Sequence, residues 1–245
     1  MKKILIIGAS SAIAQATAKL YCNEEVHYYL VGRNKGKLDI IKEDLLTRGA
    51  RKVDIDAADP VKSKHHEFLI TRAALSLGKV DLALIAHGDL PDQKQCEKSA
   101  QKTINALVIN SLSVISLVTI ITNLFEDQNN GVLVVLSSVA GDRGRASNYI
   151  YGAAKSSVST FLEGLSYRLN GTGVSVITIK PGFVDTPMTE EFDKGLLWAP
   201  PETIAAGIKK AVEKRKSIVY LPWFWKWIML AIKIIPRTIF KRLSL

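Results

Sequence analysis

Seven short apolar runs punctuate this chain, at residues 4–7, 26–31, 53–55, 82–86, 132–136, 174–179 and 217–221. They are rich in Val, Ile and Leu with little polar alternation, as in strands buried on both faces of a parallel sheet. Longer stretches of helical character lie between them, including an apolar one over 104–124. This alternation predicts an α/β fold, a single doubly wound domain whose mostly parallel seven-stranded sheet carries helices on both faces. Each crossover is expected to be right-handed. No internal repeat, low-complexity tract or Pro/Ser-rich linker interrupts the pattern, and 245 residues suit one well-buried domain.

The pattern changes after residue 221. Trp223, Trp225 and Trp227 cluster there, and Phe224, Trp227, Ile228, Ala231, Ile234 and Ile235 recur at helical spacing. Lys226, Lys233 and Arg237 fall on another side, and Pro236 is expected to kink or split the helix. The apolar length is too short and too charged to span a bilayer. A basic amphipathic helix with tryptophans suits a membrane surface. Packing against its own domain or against a partner subunit are the competing readings. The chain thus divides into a domain over 1–221 and a basic amphipathic tail over 222–245.

The first strand-like run leads directly into Gly8-Ala9-Ser10-Ser11-Ala12-Ile13-Ala14 and a helix-like segment through Tyr21. A strand, a tight turn of small residues and a helix N-terminus form an anion site from backbone N–H groups and the helix dipole. The same arrangement without a phosphate is common, and Ala12 and Ala14 stand where glycines are expected.

A second group of residues carries proton chemistry. Tyr151 and Lys155 are spaced i,i+4, on one helical face. A phenol is a weak acid, with an ordinary pKa of about 10. A nearby ammonium favours the phenolate and is expected to lower that value. Ser138, at the end of the apolar run 131–137 and before the glycine-bearing loop 141–144, is placed to hydrogen-bond a carbonyl oxygen that the tyrosine protonates. A Tyr-x-x-x-Lys on a helix is usually mere surface. Here it follows a strand end, where ligands gather in open parallel sheets. Such a set suits interconversion of an alcohol and a ketone, and hydride must come from a cofactor because no side chain donates it.

Together, the two groups resemble the short-chain dehydrogenase/reductase family over roughly residues 3 to 220. Gly8 to Ala14 is similar to its glycine-rich cofactor turn, with two Gly→Ala departures and Ile7 for the usual threonine. The resemblance implies a Rossmann-type domain. It implies cofactor contacts at Gly8, Ser10, Ser11, Ala12 and Ile13, and an adenine contact at Asp56-Ala57. Ala86-His87-Gly88 stands where an Asn-Ala-Gly stretch usually lies, also beside the cofactor. Ser138, Tyr151 and Lys155 match the catalytic trio, Lys155 also holding the nicotinamide ribose. Asn110 matches the asparagine that holds a water linking the lysine to solvent; its alternative is an ordinary buried amide. Pro181, Gly182, Val184 and Thr186 match the segment closing over the nicotinamide. His87 is expected to be structural rather than catalytic. No metal is implied.

Cofactor preference is expected from the end of the second strand. An acidic residue there would bind the ribose 2′-hydroxyl and repel a 2′-phosphate. The chain reads Val31-Gly32-Arg33-Asn34-Lys35, with no carboxylate. Arg33 is suited to fork onto a phosphate, so NADP(H) is favoured, with NAD(H) usable if Arg33 only stacks on adenine. The family resemblance further implies a homo-oligomer built on the helices carrying Asn110 and Tyr151. VDIDAADP, the Ala-His-Gly variant and the tail also resemble a subfamily of reductases acting on decaprenylphosphoryl-2-keto-erythro-pentose, implying a lipid-linked sugar as substrate.

Charge and cysteines narrow the setting. The net charge is +10, from 33 basic and 23 acidic residues, which suits attraction to anionic lipid. No recognised nucleic-acid motif accompanies it, and no nucleic-acid partner is expected. Cys22 and Cys96 imply no disulfide framework. Met1-Lys2-Lys3 resembles a signal n-region, but the apolar run behind it is short and enters the nucleotide turn. A cytoplasmic enzyme, with contact at the inner membrane face through the tail, is the expectation. Three functions stay open: a reductase of a lipid-linked or hydrophobic carbonyl, a reductase of a small soluble carbonyl, and a non-catalytic nucleotide-binding relative. The stretch 185–198 is the expected lid, and its Met188, Phe192, Leu196, Leu197 and Trp198 suggest an apolar pocket mouth.

Overall fold

The computed structural model describes residues 1–243. Among the described residues nine strands form: β1 (Lys2–Ile7), β2 (Val26–Gly32), β3 (Lys52–Ala57), β4 (Leu82–Ile85), β5 (Gly131–Leu136), β6 (Val174–Pro181), β7 (Phe183–Val184), β8 (Trp198–Ala199) and β9 (Ile218–Leu221). Ten α-helices accompany them: α1 (Ala12–Lys19), α2 (Lys35–Thr47), α3 (His66–Leu77), α4 (Gln93–Glu97), α5 (Ala100–Leu107), α6 (Ser113–Asp127), α7 (Tyr149–Arg168), α8 (Pro201–Glu213), α9 (Trp225–Ile234) and α10 (Arg237–Phe240). The main sheet has seven strands in the order β3-β2-β1-β4-β5-β6-β9, every pair parallel. All seven apolar runs supply strands of this sheet. The strand order reverses between β1 and β4, and the carboxyl ends there are where ligands gather in open α/β sheets.

Strand periodicity builds two cores. Ile4 and Ile6 face one side with Leu30, Val134 and Ile208. Leu5 and Ile7 face the other with Leu117, Ile121 and Val158. Both sides need a helical cover, which is why the inner strands are apolar nearly throughout, while the edge strand β3 carries Asp54 and Asp56.

Two elements differ from the sequence expectation. The small sheet of β7 and β8 was not foreseen, because two-residue strands leave no periodicity to detect. The single helix expected over 104–124 is interrupted by a wider π-helical turn at Val108–Leu112, between α5 and α6. The stretch Ala100–Asp127 is long and apolar enough to cross a membrane by composition. Leu117, Val118, Ile121 and Phe125 of α6 are nevertheless fully buried in the second core.

The tail folds back on its own domain. Trp225 and Met229 of α9 are buried beside Val139, with Tyr220, Phe224, Ile228 and Ile232 packed around them. Pro236 splits the tail as expected, between α9 and α10. Residues 244–245 of the expected tail lie outside the described residues.

Candidate active site

The turn between β1 and α1 is shaped by one glycine. Gly8 has φ +82, and a Cβ there would lie 2.5 Å from the His87 backbone nitrogen. Only glycine lets the turn press against the end of β4 in this left-handed conformation. Ser11 makes no side-chain cap to α1, and no acidic residue occupies the first turn. The first N–H groups of a helix have no partners within it, so this end offers donors and partial positive charge to an anion. Ser10 is exposed, Ser11 and Ala12 are half-buried, and Ile13 is buried.

The neighbouring strand ends bring up the other residues. Arg33 follows β2, exposed and without an ion pair among the described residues. Asp56, near the end of β3, accepts from Arg72 Nη2 at 2.5 Å and from the Tyr29 hydroxyl at 2.9 Å, and Ala57 is exposed beside it. Ala86 is buried after β4. His87 Nε2 lies 2.9 Å from Ser113 Oγ, whose own proton goes to the Ile109 carbonyl. His87 therefore donates through Nε2, and its buried Nδ1 keeps a lone pair with no protein partner. Burial, with the Lys155 charge adding, pulls its pKa to about 3. A neutral ring at working pH agrees with a non-acid–base role.

Ser138, Tyr151 and Lys155 come together through two close backbone approaches. Ser138 is followed by a 3₁₀ turn, Val139–Asp142, and accepts there from the Ala140 N–H at 3.1 Å. A Cβ on Gly141 would lie 2.7 Å from the Lys155 carbonyl carbon, and one on Gly152 would lie 2.9 Å from the Ala140 oxygen. These two glycines let the turn lie flat on α7. That contact carries the Ser138 hydroxyl beside the Tyr151 phenol, where it favours the phenolate. Lys155 is buried, donates from Nζ to the Leu136 carbonyl at 3.0 Å, and lies 5.7 Å from the Tyr151 ring centre.

The expected lowering of the phenol's pKa is not what the geometry gives. Burial raises Tyr151 to about 12, the Asp89 carboxylate adding and Ser138 opposing. Burial also draws Lys155 down to about 8, against the pull of Asp89. Removing water disfavours both charged forms, and the ammonium is committed to Leu136 rather than to the phenol.

Asn110 lies beside the loop after β4. It sits fully buried in the π-helical turn. Its Nδ2 donates to Asp89 Oδ1 at 2.6 Å and to the Ala106 carbonyl at 3.1 Å, and its Oδ1 accepts from the Asp89 N–H at 3.0 Å. Both amide protons are used within the protein, which leaves one oxygen lone pair for a water. Asp89 is the residue that sequence reasoning missed. A lone aspartate in a polar loop gives no periodic or motif signal, yet its charge acts on both Tyr151 and Lys155.

At the end of β6 and just beyond it, Pro181 and Val184 are buried, and Gly182 and Thr186 half-buried. A Cβ on Gly182 would overlap the Trp225 indole. Phe183 stacks on Trp198 at 5.3 Å and meets Trp225 edge-on at 5.0 Å. The segment expected over the nicotinamide, the lid and the tail thus share one aromatic cluster. On the lid, Met188, Phe192, Leu196 and Leu197 are exposed. No cluster of metal-ligating side chains occurs among the described residues.

Comparison with known proteins gives this geometry its class. The model of the short chain dehydrogenase family matches residues 2–196. An uncharacterized oxidoreductase of Mycobacterium tuberculosis is 32% identical over 240 residues, 98% of this chain and 96% of the relative. One of Streptomyces coelicolor is 32% identical over 245 residues, 99% of this chain and 96% of the relative. Among solved structures, actinorhodin polyketide ketoreductase with NADPH superposes with a TM-score of 0.81 at 18% identity, covering 91% of this chain and 96% of that one. Levodione reductase gives 0.82 at 22% identity, covering 91% and 97%. The chain belongs to the short-chain dehydrogenase family, and it is an oxidoreductase of the class that acts on CH–OH groups with a nicotinamide cofactor.

Proposed function

We propose that this enzyme reduces a ketone to a secondary alcohol with NADPH, on a hydrophobic, lipid-linked substrate. The observation that carries the reductase reading is the gathering of Ser138, the Tyr151 phenol and Lys155, the ammonium 5.7 Å from the Tyr151 ring centre and one turn further along α7. The residues present fit the dinucleotide. The uncapped, acid-free start of α1 suits its phosphates, and the orphan Nδ1 of His87 offers an acceptor at the neighbouring strand end. Arg33, with no carboxylate at the end of β2, suits a 2′-phosphate. When bound, the cofactor supplies hydride.

The chain's own residues do the rest. A phenol held at about 12 stays protonated at neutral pH and is ready to donate. Ser138 donates a hydrogen bond to a substrate oxygen and so stabilises the charge that develops there. Lys155 supplies positive charge behind the phenol as the proton leaves. Asp89 holds that ammonium charged, and Asn110 holds Asp89.

A lipid-linked substrate is supported by what surrounds the site. The lid exposes Met188, Phe192, Leu196 and Leu197, and the tail exposes Trp223, Trp227, Leu230 and Ile234. Apolar side chains on both elements suit an enzyme working in the cytoplasm against the inner membrane face. The test is NADPH consumption with a panel holding small soluble ketones and a polyprenyl-phosphoryl 2-ketopentose. Turnover of the lipid-linked ketone with kcat/KM well above the soluble ones is expected. The reverse order would replace the substrate class, and Tyr151→Phe retaining turnover would overturn the mechanism.

A further inference from the structure

An open cavity of about 610 Å³ lies between the turn after β5 and the end of the tail, outside the residues assigned to catalysis. Arg143, Lys233, Arg237 and Lys241 line it, from a loop and two helices far apart in sequence. None of the four has an ion pair among the described residues. The wall's carboxylate, Asp142, is already neutralised. Its Oδ1 meets Lys180 Nζ at 2.5 Å, and its Oδ2 accepts from the Tyr220 hydroxyl at 2.6 Å. Like charges lining one cavity repel one another unless an anion sits between them.

The cavity is also partly preorganised. The Arg143 guanidinium donates to the Ile232 carbonyl and lies 3.8 Å over the Phe240 ring. One edge is used, and the remaining donors keep a fixed plane, as phosphate recognition favours. The same two helices carry exposed apolar residues. Trp227 is 58% exposed, Ile234 71% and Ile239 54%. An anion site on helices with bare apolar side chains matches an amphiphile better than a free ion.

We propose that this cavity binds the phosphodiester of an anionic phospholipid headgroup, and so fixes the tail in the membrane surface. The proposal rests on the reading of the tail as a membrane contact and adds where the headgroup sits.

The test is co-sedimentation of the full chain with phosphatidylcholine vesicles, with and without phosphatidylglycerol. The unaltered protein is expected to prefer the anionic vesicles by about tenfold or more, since each basic residue near such a surface counts severalfold. Combined Lys233→Gln, Arg237→Gln and Lys241→Gln should abolish that preference. Lys62→Gln, Lys64→Gln and Lys98→Gln, equal in charge and outside the cavity, should largely keep it. Unchanged melting temperature and NADPH affinity show that both variants fold. Equal losses in the two variants would reduce the effect to net charge and overturn the headgroup site. Equal binding to both vesicle types would overturn it while leaving the membrane contact standing. No binding to either would remove the membrane contact as well. Thermal stabilisation by glycerol 1-phosphate without any vesicle preference would reassign the cavity to a soluble phosphate.

Discussion

Asp89 and Asn110 hold each other through two hydrogen bonds, the Asp89 N–H to the amide oxygen at 3.0 Å and the amide nitrogen to the carboxylate at 2.6 Å. The pair joins the loop after β4 to the π-helical turn and aims a carboxylate at the Tyr151–Lys155 site. That charge favours the ammonium and disfavours the phenolate. Asp89→Asn should therefore let Lys155 deprotonate at lower pH than about 8, and the alkaline limb of the ketone-reduction profile should move toward acid. An unshifted limb would show that Asp89 does not govern the lysine. Asp89→Ala also strips Asn110 of its acceptor and should cost about 1–3 kcal/mol of stability, read by chemical denaturation.

Lys155 should be a stability cost. Its ammonium titrates near 10.5 in the open chain and about 8 in the folded one. Below pH 8 both states are charged and the whole cost, roughly 3 kcal/mol from that difference, is present. Between pH 8 and 10.5 the folded state gives up its proton first, so folding becomes relatively easier as the pH rises. Lys155→Met should be inactive and at least as stable as the parent at pH 7, less whatever the Leu136 hydrogen bond contributes. Its advantage should shrink as the pH climbs from 8 to 10.5. A pH-independent difference, measured by denaturation across that window, would show that the lysine is not destabilised by burial.

Cofactor preference is expected to turn on Arg33. Because it is exposed and unpaired, Arg33→Ala should leave the fold and NADH binding nearly unchanged. NADPH affinity should fall about tenfold or more, as expected for loss of one charge-assisted, bidentate contact. Calorimetry with both coenzymes reads this directly, and equal losses for the two would mean that the guanidinium only stacks on adenine.

Most of the frame was legible because burial on both faces leaves nearly unbroken apolar runs in the inner strands, while the edge strand β3, Lys52–Ala57, is half-exposed and shows only a short apolar run. The Gly8 turn and the Ser138, Tyr151 and Lys155 set were legible because their chemistry needs particular residue types at local spacings. Besides Asp89, three things were hidden. β7 and β8 are too short to carry a period. The π-helical turn at Asn110 uses residues that would equally continue an α-helix, and its reason is tertiary. The raised phenol depends on how deeply Tyr151 and Lys155 are buried, and burial follows from packing of Gly141 and Gly152 on distant backbone.

Lys180 and Asp142 form a nearly buried ion pair, their side chains 11% and 2% exposed. With Tyr220 it ties β6 and β9 to the turn that follows Ser138. Removing one partner leaves a buried charge uncompensated. Asp142→Ala should therefore cost about 3 kcal/mol or more, whereas the paired replacement Asp142→Leu with Lys180→Met should be far milder. Denaturant midpoints decide this, and a single variant no worse than the double would mean water reaches the pair.

Gly182 and Trp225 test whether the tail is part of the site's frame. The indole occupies the space a Cβ at 182 would need, and Trp225 is buried. Gly182→Ala must therefore displace either the segment after β6 or the helix α9. The tail carries fewer buried contacts than the sheet, with Trp225 and Met229 its buried residues, so α9 should yield first. We expect a loss of about 1–3 kcal/mol, as for overpacked cores, together with faster proteolysis within residues 222–243. Trp225→Leu alone should cost stability by opening a cavity. Combined with Gly182→Ala it should cost less than the sum, because the smaller side chain makes room for the added methyl. Strict additivity in that cycle would mean the two residues do not press on each other, and the tail would then have no mechanical hold on the segment after β6.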